Sequence, residues 1–388
     1  MKKIFAFLIS SVFALNLFGT EVVYKTTTYE IKHTGDFVFF GNTNLVVDLN
    51  IYNNYRSEPI KCNIKCTIKA DNNELIYNLT QQLNVQPIDS ASLSFSFYSP
   101  KPGFYKVLLE DGDRFIKEFN ICYEPEKIYT LYPNIDKSKI FWSNVMNSTM
   151  LKSPQYKITK IKEKAYRARE AYSVFIKYPN MEPFCGYYFV PVKDEKNLIA
   201  RARVLYGEKI DLEMETKYDG DCIDFILPID SLAIPDSLFY KNMVIKYITM
   251  VKFLSSKKNA NINSIFVTGK GIPGAMAMLA AAIDTTIEAA AVYNPFVNES
   301  VLRQGSNMKL GVISSLVKCP VLFGIGLQDS IATPRSVFDA YNVIKSNKEY
   351  YIFPFSGKEE DKKWDMLRNN FFIKYKKKPT KFSLVGLF

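Results

Sequence analysis

Residues 265–284 constrain the fold most strongly, because they predict a strand, a sharp glycine-rich turn and an alanine-rich helix in direct succession. The strand is the apolar run that begins at Ile265, and the turn contains Gly269, Gly271 and Gly274. A strand that passes through a tight turn directly into a helix is typical of an α/β fold, in which helices cover a mostly parallel sheet. The apex of this turn is Gly271, which has no side chain.

The missing side chain governs the functional interpretation. In α/β-hydrolases the strand-to-helix elbow has the form G-x-S-x-G, and its strain lifts a serine hydroxyl above the sheet, where a base can reach it. Gly271 occupies the place of that serine. The sequence therefore predicts the frame of a nucleophile elbow without the nucleophile.

A dinucleotide site is the rival interpretation of the same turn. Gly269 to Gly274 fits G-x-G-x-x-G between a strand and a helix. That fingerprint also expects an acidic residue at the end of the next strand, but this strand ends at Tyr293 and Asn294, and Asp284 and Glu288 come earlier. The match is local and weak, and we expect no cofactor and no metal.

The turn resembles the elbow of the acetyl xylan esterase and cephalosporin-C deacetylase family, carbohydrate esterase family seven, which reads V-T-G-G-S-Q-G-G-G-L-A-L-A-A-A. Val267 to Gly269 match this pattern, as does Gly274. Gly271 falls on the family's serine, Lys270 on a glycine and Ile272 on the glutamine. The resemblance implies an α/β-hydrolase fold with a doubly wound sheet.

Two later segments extend the resemblance. Residues 318–342 are similar to C-P-V-L-x-x-x-G-L-x-D-x-x-x-P-P-S-T-V-F-A-A-Y-N, and Asp329 falls on the family's triad acid. Residues 350–359 resemble the segment with the pattern Y-P-x-x-G-H-E, and Lys358 occupies the histidine position. The only histidine of the chain is His33, far from these motifs.

Two further features of the family are reduced. Where the family has H-G-Y-G in its oxyanion loop, only Leu205 to Gly207 remains, and Tyr206 is the counterpart of the tyrosine that lines the acetyl pocket. The 58 positions between Gly271 and Asp329 imply a shortened lid. The resemblance implies a hydrolase-like pocket without the catalytic serine and histidine. Its expected lining residues are Tyr206, Lys270 and Ile272.

A Ser-His-Asp relay needs a nucleophile, a base with a pKa near neutrality and an acid that orients the base. Gly271 and Lys358 remove the first two and Asp329 retains the third. We therefore predict a catalytically inactive protein whose relic pocket binds carbohydrate or a small anion, the latter near Lys270. A salt bridge from Lys358 to Asp329 that closes the site is equally compatible with the sequence.

Two other functions remain open. One is an active acetyl esterase that uses another nucleophile, for which Ser330 and Ser356 are the candidates. The other is a structural subunit that assembles with active paralogues, as a homo- or hetero-oligomer. Both follow from the family resemblance rather than from a motif.

The N-terminus predicts export. Lys2 and Lys3 precede an apolar run, and Gly19 offers a cleavage point, which is the layout of a signal peptide over residues 1–19. The run is short for a membrane span, so we expect a periplasmic or secreted protein without one. Without those two lysines the formal net charge falls from +11 to +9, a modest value that, with export, argues against nucleic acid as a partner.

Residues 20–123 alternate apolar and polar side chains, for example from Leu45 to Ile51, which predicts an immunoglobulin-like β-sandwich ahead of the hydrolase domain at 124–388. A module of this kind can bind sugar or only pack on its neighbour, and the sequence leaves this open. Cys122 is a possible disulfide partner of Cys62 or Cys66 if their strands adjoin. The remaining cysteines, Cys185, Cys222 and Cys319, are predicted to be small core residues.

Overall fold

The computed structural model describes residues 21–24, 27–32, 34–41, 43–98, 101–130, 135–150, 153–162, 168–192, 198–217, 222–230, 236–257, 262–299 and 308–377. The chain divides into two compact units, Met1–Pro125 and Glu126–Phe388. The predicted signal peptide, residues 1–19, lies outside the described residues. Within the described ranges no helix is both long and apolar enough to span a membrane.

The first unit is built from strands in its described part. They are β1 (Glu21–Tyr24), β2 (Thr27–Lys32), β3 (Val38–Phe39), β4 (Leu45–Asn53), β5 (Ile60–Ala70), β6 (Leu75–Val85), β7 (Asp89–Phe97), β8 (Gly103–Asp111) and β9 (Arg114–Tyr123). They form a four-stranded sheet, β1-β2-β4-β7, and a five-stranded sheet, β3-β9-β8-β5-β6. Alternate side chains of β4, from Leu45 to Ile51, are fully buried, because successive residues of a strand point to opposite faces. The predicted all-β sandwich is confirmed.

The predictions for the cysteines need correction. Cys62, Cys66 and Cys122 are free thiols. Strand β8 lies between β5 and β9, so the strands that carry these cysteines do not adjoin. Cys185 is exposed on β12 (Phe184–Pro191) rather than buried, because it points to the face opposite that of its buried neighbours.

The second unit is an α/β structure. Its strands are β10 (Gln155–Lys160), β11 (Arg169–Lys177), β12 (Phe184–Pro191), β13 (Leu198–Tyr206), β14 (Cys222–Ile229), β15 (Ile262–Lys270), β16 (Ile287–Tyr293), β17 (Val321–Gly326) and β18 (Lys348–Phe353). Its helices are α1 (Ile135–Met150), α2 (Leu212–Lys217), α3 (Ser237–Ser255), α4 (Ile272–Ile283), α5 (Leu310–Leu316), α6 (Pro334–Asn342) and α7 (Trp364–Tyr375).

The strands of this unit form one sheet in the order β10-β11-β12-β14-β13-β15-β16-β17-β18. The strands from β14 to β18 along this order are parallel, whereas β10, β11, β12 and β14 pair antiparallel. The carboxyl ends of the parallel strands therefore meet at one edge of the sheet. In open α/β sheets ligands bind outside this edge.

Helices cover both faces of the sheet. Phe225 of β14 packs against Phe253 of α3, with ring centroids 5.0 Å apart. On the opposite face, Phe266 of β15 stacks on Phe372 of α7 at 4.5 Å. Helix α4 begins directly after β15, and nearly all of its residues are buried, as expected for a helix that is apolar on every side.

Candidate functional site

The predicted site residues follow the ends of neighbouring parallel strands. Gly271 follows β15, Asp329 lies just beyond β17, and Lys358 lies beyond β18. Neighbouring strands are about 4.8 Å apart, so the ends of β15 and β17, two strands apart in the sheet, are separated by roughly 10 Å. The topology brings the three relic triad positions to one edge of the sheet.

Gly271 adopts the strained conformation of an elbow apex. Its φ is 61° and its ψ is −128°, which a residue with a Cβ adopts only at a cost. Its N–H donates to the Tyr293 carbonyl at 2.9 Å, and its own carbonyl accepts from the N–H of Phe296 at 3.0 Å. A Cβ at this position would have no heavy atom within 4 Å, so a side chain here would face open space.

Gly269 and Gly274 allow the strand and the helix to approach closely. A Cβ on Gly269 would lie 2.7 Å from the backbone carbon of Pro273, and one on Gly274 would lie 2.9 Å from the carbonyl oxygen of Gly269. Real Cβ atoms do not make such contacts. The turn thus keeps the tight packing of a nucleophile elbow although its apex carries no hydroxyl.

Asp329 is buried, with 3% of its surface exposed. Its Oδ1 accepts from the N–H groups of Ile331 at 2.7 Å and Ala332 at 2.9 Å. Its Oδ2 accepts from Nδ2 of Asn294 at 2.7 Å. The retained acid therefore accepts three hydrogen bonds, two from its own loop and one from Asn294, which follows β16.

Asn294 is a site residue that sequence reasoning missed. It is 1% exposed and lies just after β16, with a left-handed φ of 41°. Besides Asp329, its amide donates to the Gly357 carbonyl at 2.9 Å and accepts from the Gly326 N–H at 2.7 Å. One signal was present, since a polar residue at the end of a buried parallel strand lies at the ligand edge of the sheet.

Lys358 does not contact the acid. It is exposed, and in the described part of the chain it forms no ion pair with Asp329. Two hydrogen bonds fix the backbone just before Lys358. The carbonyl of Ser356 accepts from the N–H of Gln328 at 2.9 Å, and the carbonyl of Gly357 accepts from the amide of Asn294. The salt bridge from Lys358 to Asp329 that would close the site is not formed, and the side-chain donor to Asp329 is the amide of Asn294.

Lys270 forms an ion bridge across the same edge. Its ammonium is 2.7 Å from Glu208, which follows β13, and 3.1 Å from Glu359, which follows β18. Burial lowers the pKa of Lys270, but the two carboxylates outweigh burial and raise it overall. Two carboxylates against one ammonium leave this position with a negative charge, and neither Glu208 nor Glu359 was predicted from the sequence.

The two remaining pocket residues lie beside the elbow. Tyr206 ends β13, next to β15 in the sheet, and its ring packs edge-on against Phe239 at 5.7 Å. Burial raises the pKa of its hydroxyl. Ile272 is the first residue of α4 and is 9% exposed. The environment of the apex is thus partly apolar.

The two candidate alternative nucleophiles, Ser330 and Ser356, lie in ordinary loop positions. Ser330 is exposed beside Asp329. Ser356 donates to the carboxylate of Asp361 at 3.2 Å. Neither lies at a strained turn with a base in contact, which is what activation of a serine requires.

Comparison with known proteins bears on the family resemblance and on the fold. Residues 297–376, which include Asp329 and Lys358, match the family model described as acetyl xylan esterase. The structure is similar to the acetyl xylan esterase from Paenibacillus sp. R4, with a TM-score of 0.57 and 16% identity over 65% of this chain and 98% of that chain. It is also similar to acetyl xylan esterase 1 from Thermoanaerobacterium sp. JW/SL YS485, with a TM-score of 0.55 and 13% identity over the same shares of the two chains.

The second unit is acetyl xylan esterase-like and has the α/β-hydrolase fold. The predicted family resemblance and fold class are confirmed. In this acetyl xylan esterase-like unit, the elbow backbone and the acid are present. A hydroxyl at the apex and an imidazole beside the acid are not.

Proposed function

We propose that this chain is an exported, catalytically inactive acetyl xylan esterase-like protein that has been retained for binding. The observation that carries the proposal is the apex itself: Gly271 keeps the strained elbow backbone, yet no nucleophilic atom is attached to it. A relay that loses its nucleophile or its base falls to a residual rate, about 10⁶-fold lower in a related serine relay.

The state of Asp329 supports this proposal. In a working relay the acid accepts from the base and fixes its orientation. Here the amide of Asn294 supplies that hydrogen bond at 2.7 Å, and Lys358 is exposed. The donors to Asp329 are therefore two backbone N–H groups and an amide, and none of them is a base.

Neutral carbohydrate fits the relic pocket better than a small anion does. Lys270 is the cation nearest to the apex in sequence, and Glu208 and Glu359 already contact it. An incoming anion would have to displace one of these carboxylates against its negative charge. Tyr206 beside the elbow offers an aromatic ring, and open space lies above Gly271.

Isothermal titration of the purified protein with xylo-oligosaccharides, acetylated xylo-oligosaccharides and acetate tests this choice. We expect heat of binding from the sugars and none from acetate, and we expect Tyr206→Ala to weaken sugar binding several-fold. Tyr55→Ala, which changes an exposed tyrosine of the first unit, is the matched control. Acetate binding without sugar binding would overturn the preference for carbohydrate.

A kinetic assay distinguishes the proposed inactive protein from an active esterase that uses another nucleophile. Hydrolysis of p-nitrophenyl acetate should equal the rate in buffer for the parent protein, Ser330→Ala and Ser356→Ala alike. Turnover by the parent that disappears in one of these variants would identify that serine as the nucleophile. Co-purification with an active paralogue would instead support the structural-subunit hypothesis.

Export is proposed from the sequence of residues 1–19. Amino-terminal sequencing of the protein recovered from the native host should begin just after residue 19. Recovery of intact Met1 in the cytoplasmic fraction would contradict export without affecting the account of the site.

A further inference from the structure

Strand β6 is an outer strand of the five-stranded sheet in the first unit. It pairs antiparallel with β5, and among the described residues no other strand pairs with it. In an antiparallel pair, alternate residues direct their N–H and C=O groups away from the partner strand. The free edge of β6 therefore presents a row of backbone donors and acceptors that another strand can bind.

This edge lacks the features that usually prevent strand pairing. Those features are charged side chains, above all lysine, together with proline and short strand length. The eleven residues of β6 include no charged side chain and no proline. Each of the other outer strands of the described sheets carries a charged residue or is only two residues long: Glu21 in β1, Asp89 in β7, Lys157 in β10, Lys348 in β18, and the two-residue β3.

The inward face of β6 is only partly covered. Leu79 lies opposite Cys66 of β5 and Tyr77 opposite Ile68, and opposite residues point to the same face of a sheet. The ring of Tyr77 also packs 5.6 Å from that of Phe97, across the sandwich. Cys66 and Ile68 are fully buried, whereas Leu79 is 40% exposed. The core is open here because no strand follows β6 in the sheet.

A second copy of β6 complements this edge. Thr80 is the middle residue of the strand, so a two-fold axis through Thr80 pairs the full length of β6 antiparallel with the β6 of another copy. Each pair of opposite residues is then free of charge, and like charges are what destabilise such pairs most directly. Two pairs are apolar, one joins two amides and two are mixed: Leu75 with Val85, Tyr77 with Leu83, Asn78 with Gln82, Leu79 with Gln81, and Ile76 with Asn84.

We propose that β6 is a dimer interface, at which the β6 strands of two copies of this chain pair antiparallel and join their five-stranded sheets into one continuous sheet. The added strand supplies hydrogen bonds to the free edge and covers Leu79. Because both copies use the same edge, the two-fold contact is closed and association ends at two copies.

This interface is independent of the proposed function. It uses only the first unit, whereas the relic site consists of Gly271, Asp329 and Lys358 in the second unit. Self-association is measured without any ligand, and sugar binding is measured by titration. Failure of either one leaves the other unaffected.

Sedimentation velocity of the purified protein over a range of concentrations tests the interface. We expect a reversible equilibrium between monomer and dimer. The double substitution Asn78→Lys with Gln82→Lys sets lysine opposite lysine twice, so it should raise the dimer dissociation constant at least about tenfold. Asn78→Glu with Gln82→Glu should do the same. A mixture of the two folded variants should recover the dimer, because lysine then lies opposite glutamate.

Gln155→Lys with Thr159→Lys is the matched control, because it adds the same charge to exposed positions of the outer strand β10 and should leave the dimer unchanged. Thr80→Cys, made together with Cys185→Ser to remove the exposed thiol, keeps the test decisive if the charged variants do not fold. A short bis-maleimide should join two copies of that variant, because the two side chains at position 80 lie opposite each other across the axis.

Three results would overturn the proposal. One is a parent protein that stays monomeric at every concentration, which would leave the edge to a strand from another protein. The second is a dimer that the folded charged variants leave intact. The third is a dimer whose Thr80→Cys variant the bis-maleimide does not join.

Discussion

At the scale of one residue, Gly271 has the backbone conformation of an elbow apex but carries no side chain. A φ of 61° is strained for any side chain, but a Cβ here would meet no atom within 4 Å. Gly269 presents the opposite situation, since its φ is not in the left-handed region and its Cβ would collide with the backbone of Pro273. The two glycines are required for different physical reasons.

Because the two glycines are required for different reasons, replacing each with alanine should lower the free energy of unfolding by a different amount. Gly271→Ala should lower the free energy of unfolding by about 1–3 kcal/mol, the price of backbone strain alone. Gly269→Ala should cost more, because the rigid backbone of Pro273 and Gly274 must move. Urea denaturation of both variants checks the order, and a larger loss for Gly271→Ala would contradict the steric account.

Asn294 yields a second prediction at this scale. Asn294→Ala removes a donor to Asp329, a donor to Gly357 and an acceptor from Gly326, all within a buried site. We expect a loss of about 2–4 kcal/mol in the free energy of unfolding, because buried partners are left unsatisfied. The exposed Asn347 serves as control, and Asn347→Ala should stay within about 0.5 kcal/mol of the parent. Equal effects of the two substitutions would show that the Asn294 network contributes nothing.

At the scale of secondary-structure elements, a buried ion cluster ties β11, β13 and β14 together. Burial raises the pKa of Asp224, but Arg201 and Arg169 outweigh it and hold that pKa well below its usual range. A carboxyl group whose pKa is lower in the folded than in the unfolded protein stabilises the fold at any pH above its unfolded pKa, about 3.9. This stabilisation is lost as the pH falls from there toward the pKa of the folded protein.

Asp224→Asn should therefore cost about 3–5 kcal/mol at neutral pH, since two buried cations lose the carboxylate that they share. The difference in stability between the parent and Asp224→Asn should narrow as the pH is lowered from about 5 to about 2. Denaturant midpoints of both proteins, measured across this pH range, show whether the difference in stability narrows or widens in acid. Asp136→Asn, which changes an exposed aspartate of α1, should show no such trend, and a difference that widens in acid would refute the linkage.

Burial of the thiols determines which cysteines react with a thiol reagent. Burial raises the pKa of Cys62 to about 11 and those of Cys66 and Cys122 to about 12. Cys222 and Cys319 are raised by burial to about 12 as well. At pH 8 we expect Cys185 alone to react with a thiol reagent in the folded protein, because only the thiolate attacks and Cys185 is exposed. If the folded Cys185→Ser variant reacted with the thiol reagent as much as the parent protein does, this expectation would be wrong.

Sequence patterns predicted some elements better than others. The strand, turn and helix around Gly271 follow from local residues, since apolar runs and glycines act within a few positions. The contacts of Asn294 with Gly357 and of Arg201 with Asn369 join segments far apart in sequence, and a polar residue in an apolar context carries no local sign of its partner. The acid Asp329 was predictable for a different reason, because a long motif surrounds it.

At the scale of the whole molecule, the hydrolase unit separates fold from chemistry. Its elbow packing, parallel sheet edge and acid are those of an α/β-hydrolase, and they depend on glycines, buried strands and backbone hydrogen bonds. A serine relay needs in addition a nucleophile and a base, and this packing requires neither. The elbow, with open space at the position of a Gly271 Cβ, is the basis for proposing a binding role.

The most direct test is exposure of the intact protein to a fluorophosphonate probe, followed by mass spectrometry of its peptides. The account predicts no covalent adduct, because Gly271 offers no hydroxyl and no imidazole stands beside Asp329. An active serine hydrolase labelled in parallel confirms that the probe is reactive. An adduct on Ser330, Ser356 or any other residue of this cleft would contradict the claim that the relay is lost.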